Sequence, residues 1–104
     1  DYKRSLAAHH ALPVVVSSAL ESVVGLSYGL QLAARVPQLD YACGLATSAL
    51  FEADLGEMPI LNGAIALADY EVDAERLERY SAPIERLEWW RRRITQVWSL
   101  REAR

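Results

Sequence analysis

The sequence predicts an α/β fold organised around one strand–helix–strand unit, and three observations carry that expectation. A run of β-branched residues, Val14-Val15-Val16, follows Pro13; a nearly all-apolar stretch with helical character comes next; and a second short run, Leu39 to Leu45, follows Pro37. Such alternation places a crossover helix between two parallel strands.

Tyr2 to His10 reads as the end of a helix with Leu6, Ala7 and Ala8 as apolar positions, and Pro13 stops it. The opening Asp1-Tyr2-Lys3-Arg4 leads into a polar segment where a signal peptide would carry an apolar one, so the chain reads as opening inside a helical pattern. A strand is expected over about 13–18, apolar on both faces as a parallel strand covered on two sides must be. Ser18-Ala19-Leu20-Glu21 has capping-box spacing, in which hydroxyl and carboxylate satisfy free amides at a helix start. The helix that follows, expected over about 21–35, carries Val23, Val24, Leu26, Leu30 and Leu32 and is apolar nearly all round. Gly25 and Gly29 allow a neighbouring element to approach closely, each at a cost of up to about 1 kcal/mol in helix propensity.

A second strand is expected over about 40–45, and Thr47 to Asp54 as a short helix or turn. From Met58-Pro59 the texture changes to a tail. Asn62-Gly63 is a hairpin turn signal between Pro59-Ile60-Leu61 and Ala64-Ile65-Ala66-Leu67. Asp73 can cap a helix over about 73–80, with Val72 and Leu77 at the spacing of a hydrophobic staple. Ser81 or Pro83 opens a last helix over about 83–101, whose Ile84, Leu87, Trp90, Ile94, Val97 and Trp98 recur every three or four residues as a packing face. The chain therefore divides near residue 57 into a strand–helix part and a tail.

At 104 residues the chain is at most one domain, with an ordinary globular composition of 52% hydrophobic and 24% charged residues. Two parallel strands cannot complete such a domain, because both faces and both edges need cover. The chain is expected to be part of a larger body or to assemble with copies of itself. Its 14 acidic against 11 basic residues argue against a nucleic-acid partner over the whole surface. The lone Cys43 cannot form an internal disulfide, which makes a cytoplasmic setting the default. The longest apolar runs fall short of the roughly 20 residues a membrane span needs, so no membrane partner is expected.

Pro13-Val-Val-Val-Ser-Ser-Ala-Leu-Glu-Ser-Val-Val-Gly-Leu26, followed by Tyr41-Ala-Cys-Gly-Leu45, resembles the seventh and eighth barrel strands of the o-succinylbenzoate synthases of the enolase superfamily. Pro59-Ile-Leu-Asn-Gly63, Glu71-Val-Asp73 with Leu77, and Trp89-Trp90-Arg91 resemble that family's tail in its actinobacterial branch. The resemblance implies the carboxyl-terminal part of a TIM-type (β/α) barrel, with residues 1–57 closing the barrel and residues 58–104 forming a helical tail. It implies dehydration of a cyclohexadiene carboxylate in menaquinone synthesis, by a lysine base and a Mg²⁺ ion that stabilises the enediolate. In the family those lysines and metal ligands lie on earlier strands, so this chain alone is expected to be inactive and to hold no metal. Its share would be loops at the barrel face where substrates bind. Carried over, the resemblance assigns substrate contact to Ser17, Ser18 and Glu21 after the first of these strands and to Gly44 and Leu45 after the second. The implied partners are a small carboxylate substrate and the remainder of the barrel, or another copy of the chain.

Plainer readings stand beside these. Glu21 also fits a capping role, and no nucleophilic-serine motif surrounds Ser17 or Ser18. His9 and His10 are adjacent on a helix, diverge by about 100° and cannot easily share one ion. Cys43 reads as a small buried residue. Trp89-Trp90-Arg91-Arg92-Arg93 could stack on single-stranded nucleic acid, but Glu88 lies four residues before Arg92, with Glu85 a turn earlier, and such acidic neighbours favour a solvated face. The same fold serves N-acylamino acid racemases and muconate cycloisomerases. A non-catalytic reading is a helix-rich module that oligomerises through the Ser22–Arg35 helix and the Trp-bearing helix.

Overall fold

The computed structural model describes residues 12–102. The helix end expected at Tyr2 to His10, and with it His9-His10, lies outside the described residues. The rest is a small α/β arrangement: helix α1 (Val23–Ala34), a 3-10 turn (Thr47–Leu50), a hairpin of β1 (Ile60–Leu61) and β2 (Ala64–Ile65), helix α2 (Ala74–Arg79) and helix α3 (Ile84–Glu102).

The strands expected over 13–18 and 40–45 do not form a ladder. Their segments meet at a single parallel bridge, Ser17 opposite Gly44. Two backbone hydrogen bonds flank it, from the Gly44 amide to the Val16 carbonyl and from the Ser18 amide to the Gly44 carbonyl, each 2.9 Å. Parallel pairing is stable when neighbouring strands extend it, and none stands beside this pair among the described residues. The sheet that does form is antiparallel, Ile60 facing Ile65 and Leu61 facing Ala64. Asn62 and Gly63 both take positive φ, 52° and 75°, as the expected two-residue turn requires.

The core is small and lies before the last two helices. Val16, Val23, Leu26, Ala33, Leu45 and Met58 are buried, with Leu30, Val36, Cys43, Leu55, Ile65 and Tyr70 packed against them. One face of α1 supplies half of these buried positions. Val24, Tyr28 and Leu32 of the same helix point outward. Gly29 lets Leu45 pack close, since a Cβ there would come within 2.9 Å of a terminal methyl of that side chain, which would have to shift. At Gly56 a Cβ would run into the Glu71 carbonyl and press on Val23, which ties the tail to the start of α1.

Helix α2 begins as its sequence suggests, with the Asp73 carboxylate accepting from the Arg76 amide at 3.0 Å. Helix α3 buries none of its side chains. Ile84, Ile94, Val97, Trp98 and Leu100 are each more than half exposed. The acidic partners expected for Arg92 do not engage it. Cations lie instead against tryptophan faces, Arg86 over Trp89 at 5.7 Å and Arg101 over Trp98 at 5.4 Å, and the Trp98 indole N–H donates to Glu102 at 2.9 Å. An exposed ion pair on a helix contributes only a few tenths of a kcal/mol, so a nearby aromatic face competes with it readily.

The chain is consequently extended. Its radius of gyration is 16.4 Å, where a compact domain of 100 residues has about 13 Å. Its accessible surface of 8830 Å² exceeds the roughly 5,800 Å² expected of a compact monomer of this mass.

Candidate functional site: the corner after the parallel bridge

The bridge brings the two loops that carry all five candidate residues to one corner. Ser17, Glu21 and Gly44 are exposed there, Ser18 is half-buried and Leu45 is buried in the core. Only the backbone of Leu45 is therefore available at the corner, while its side chain packs beneath it.

The hydroxyls differ in what they have left to give. Ser18 Oγ donates to the Gly44 carbonyl at 2.9 Å and shares a 2.8 Å hydrogen bond with Thr47 Oγ1. A serine hydroxyl has one proton, so with that proton on Gly44 the Ser18 oxygen accepts from Thr47. Ser18 thus pins the two loops together and has no donor to spare. Ser17 Oγ meets only the Ser18 carbonyl at 3.5 Å, the far limit of a hydrogen bond. Its proton is free for an incoming acceptor. Gly44 gives that hydroxyl room, because a Cβ at position 44 would lie 2.8 Å from Ser17 Oγ.

The capping box expected of Ser18 and Glu21 is not made. Helix α1 starts after Ser22, whose side chain makes no capping bond. The Glu21 carboxylate turns back to accept from the Ala19 amide at 2.6 Å. Between them Leu20 has a φ of 65°, a left-handed conformation that is strained for a non-glycine residue. The first amide of α1, on Val23, donates instead to Asp54 Oδ2 at 2.8 Å. Local spacing favoured a cap three residues away, but a carboxylate 31 residues on reaches the same positive helix end.

Asp54 belongs to a larger joint that the sequence alone did not single out. Its other oxygen accepts from the Leu55 amide at 2.6 Å. Its carbonyl accepts from Arg76 Nη1 at 3.3 Å, and the same guanidinium nitrogen donates to Glu57 Oε1 at 2.6 Å. The Glu57 hydrogen bond and its charge raise the Arg76 pKa above its ordinary value, so the cation is permanent. The Asp73 amide donates to the Leu55 carbonyl at 2.8 Å. The only sequence signal for this joint was Asp73 as a helix cap, which placed Arg76 at its third helical position. An open cleft of about 600 Å³ lies alongside, lined by Phe51, Asp54, Glu57, Arg76, Arg79 and Tyr80 among others. None of the five candidate residues lines it.

Among the described residues no three His, Cys, Asp or Glu side chains converge on a point where a metal ion could sit. Nor, among those residues, is any helix long and apolar enough to cross a membrane. Cys43 is a free thiol, half-buried against the core.

Comparison with known proteins gives a consistent result. The chain is 47% identical over 96 residues to the o-succinylbenzoate synthase of Mycobacterium tuberculosis, covering 91% of this chain and 29% of that protein. It is 45% identical over 97 residues to the o-succinylbenzoate synthase of Mycobacterium leprae, with 92% and 29% covered. For the o-succinylbenzoate synthase of Mycobacterium ulcerans the identity is 44% over 96 residues. No family model matches the chain. The resemblance to o-succinylbenzoate synthase thus holds along nearly the whole chain, while the chain spans 29% of the length of these curated relatives.

Proposed function

We propose that this chain is the terminal part of an o-succinylbenzoate synthase-like lyase, the closing strands, crossover helix and tail of its (β/α) barrel, and that its corner at Ser17 and Gly44 holds the carboxylate of the substrate. The single observation that carries the second half is the free Ser17 hydroxyl, set beside a glycine that leaves it open. The first half is supported by the 47% identity to a protein of that name.

In this reading Ser17 donates to the substrate carboxylate, and Ser18 holds the loop after Gly44 at a fixed distance from it. Glu21 and the backbone at Gly44 and Leu45 shape the pocket wall. A hydroxyl at a strand end can hold a carboxylate without a cation nearby. In this reading the metal and the lysine base that abstracts the proton belong to strands outside this chain, as the family resemblance implies. The 104-residue chain alone then has no dehydratase activity and binds Mg²⁺ no better than an arbitrary acidic peptide. On the same reading its place is the cytoplasm and its reaction a step of menaquinone synthesis.

The test is made on the full-length enzyme with the cyclohexadiene carboxylate as substrate. Ser17→Ala removes one hydrogen bond to a charged group, worth about 1.5–3 kcal/mol, and should raise KM roughly tenfold or more. Ser18→Ala should act less. A KM unmoved by Ser17→Ala would sink the site assignment. Faster turnover of an N-acylamino acid or of muconate than of the cyclohexadiene carboxylate would move the enzyme to a sister activity of the same fold.

The exposed stripe of α3 favours a second reading, in which the chain pairs with a copy of itself. Light scattering on the isolated chain separates the two readings. A cooperatively folding dimer supports pairing, and an aggregating or partly molten species supports the barrel fragment.

A further inference from the structure

Nothing in the resemblance assigns a role to Asp54 or Arg76, yet both connect to the loop that carries the candidate site. Asp54 reaches across from the segment after the 3-10 turn and accepts the first amide of α1 at 2.8 Å. That amide belongs to Val23, which is fully buried and is the second residue after Glu21. The loop Ser17–Ser22 is therefore held at two points. At one end Ser18 is tied to Gly44 and Thr47, and at the other Val23 is tied to Asp54. Between the two sits Leu20 in its strained left-handed conformation, which persists only where the surroundings over-determine it.

Asp54 is itself held. Arg76 donates from one nitrogen to the Asp54 carbonyl and to Glu57, and Asp73 places Arg76 by capping its helix. The Asp73 amide and the Glu71 carbonyl then lock Leu55 and Gly56 against the tail. The tail thereby sets where the start of α1, and with it the loop, can lie.

We propose that Asp54, clasped by Arg76, is a positioning residue that fixes the Ser17–Glu21 loop for carboxylate binding. The proposal rests on the reading of Ser17 given above. It deepens that reading by naming the device in the tail on which the geometry of the site depends. A residue that merely stabilised the fold would lower the active fraction and leave KM where it was. A positioning residue raises KM at nearly constant kcat, because the loop's ground-state grip on substrate is what it controls.

The experiment uses the full-length enzyme. Asp54→Ala should raise KM about fivefold or more with kcat changed less than about twofold. Asp54→Asn keeps an acceptor for the Val23 amide and should recover most of the loss. Arg76→Ala should move KM in the same direction by a smaller factor, and the double variant should cost less than the product of the two. Amide exchange at Val23 should quicken in Asp54→Ala, whether or not substrate is present. If Ser17→Ala raises KM and Asp54→Ala does not, the clasp is overturned while the site stands. If Asp54→Ala raises KM and Ser17→Ala does not, the clasp stands and Ser17 is not the contact. Unchanged exchange at Val23, or an Asp54→Asn variant no better than Asp54→Ala, would also overturn the proposal.

Discussion

Helix α1 and helix α3 are opposites in how their apolar residues are used. Helix α1 has 12 residues and hides Val23, Leu26 and Ala33 against Val16, Leu45 and Met58. Helix α3 has 19 residues and hides none. The patterning of α3 is the more regular of the two, with an apolar residue every three or four positions, yet it finds no surface to cover among the described residues. Periodicity therefore establishes that a helix has a face. It does not say that the face is occupied within the same chain.

The contrast predicts unequal responses to mutation. Leu26→Ala, at a fully buried position of α1, should destabilise the intact protein by about 2–5 kcal/mol, read by urea unfolding. A loss below about 1 kcal/mol would mean that the inner face of α1 is not core. Gly56→Ala forces a Cβ onto the Glu71 carbonyl beside Val23, and such overpacking should cost about 1–3 kcal/mol in the same measurement. A neutral result would show that the tail and α1 are not locked together.

Ile94→Ala on α3 should change the stability of the 104-residue chain by no more than about 0.5 kcal/mol, as an unpacked surface position does. On the proposed barrel reading the same substitution should cost more than that in the full-length enzyme, where the rest of the protein would cover the stripe. All three tryptophans, Trp89, Trp90 and Trp98, lie on α3. Their emission should accordingly be red-shifted and open to acrylamide in the short chain, and blue-shifted and protected in the full-length enzyme. Equal quenching in both would remove the contrast on which the barrel-fragment reading relies.

Features encoded over a few residues were legible in the sequence. The helix now seen as α1, the Asn62-Gly63 turn and the Asp73 cap each depend on neighbours within one or two turns, and each stands where local spacing put it. Features that depend on distant partners were not. The parallel pair shrank to one bridge because a strand's hydrogen bonds are supplied by its neighbours. The capping box gave way to Asp54 because a carboxylate 31 residues away competes on equal chemical terms with one nearby. The corner of Ser17, Ser18 and Gly44 could be singled out through resemblance, but which serine keeps a free proton was decided by Thr47 and the Gly44 carbonyl. The Asp54–Arg76 joint had no local signature beyond the Asp73 cap that places Arg76.

The lone bridge at Ser17 and Gly44 also bears on what becomes of such a polypeptide when nothing pairs with the run before it. Val14 and Val15 are β-branched, lie just before the bridge, and have no strand beside them among the described residues. An unpaired, uncharged run of this kind is a template for edge-to-edge association between molecules. Proteolytic nicking or premature termination that released this piece would hand the cell's chaperones and proteases an adhesive surface. Covering that edge would then be a matter of protein homeostasis.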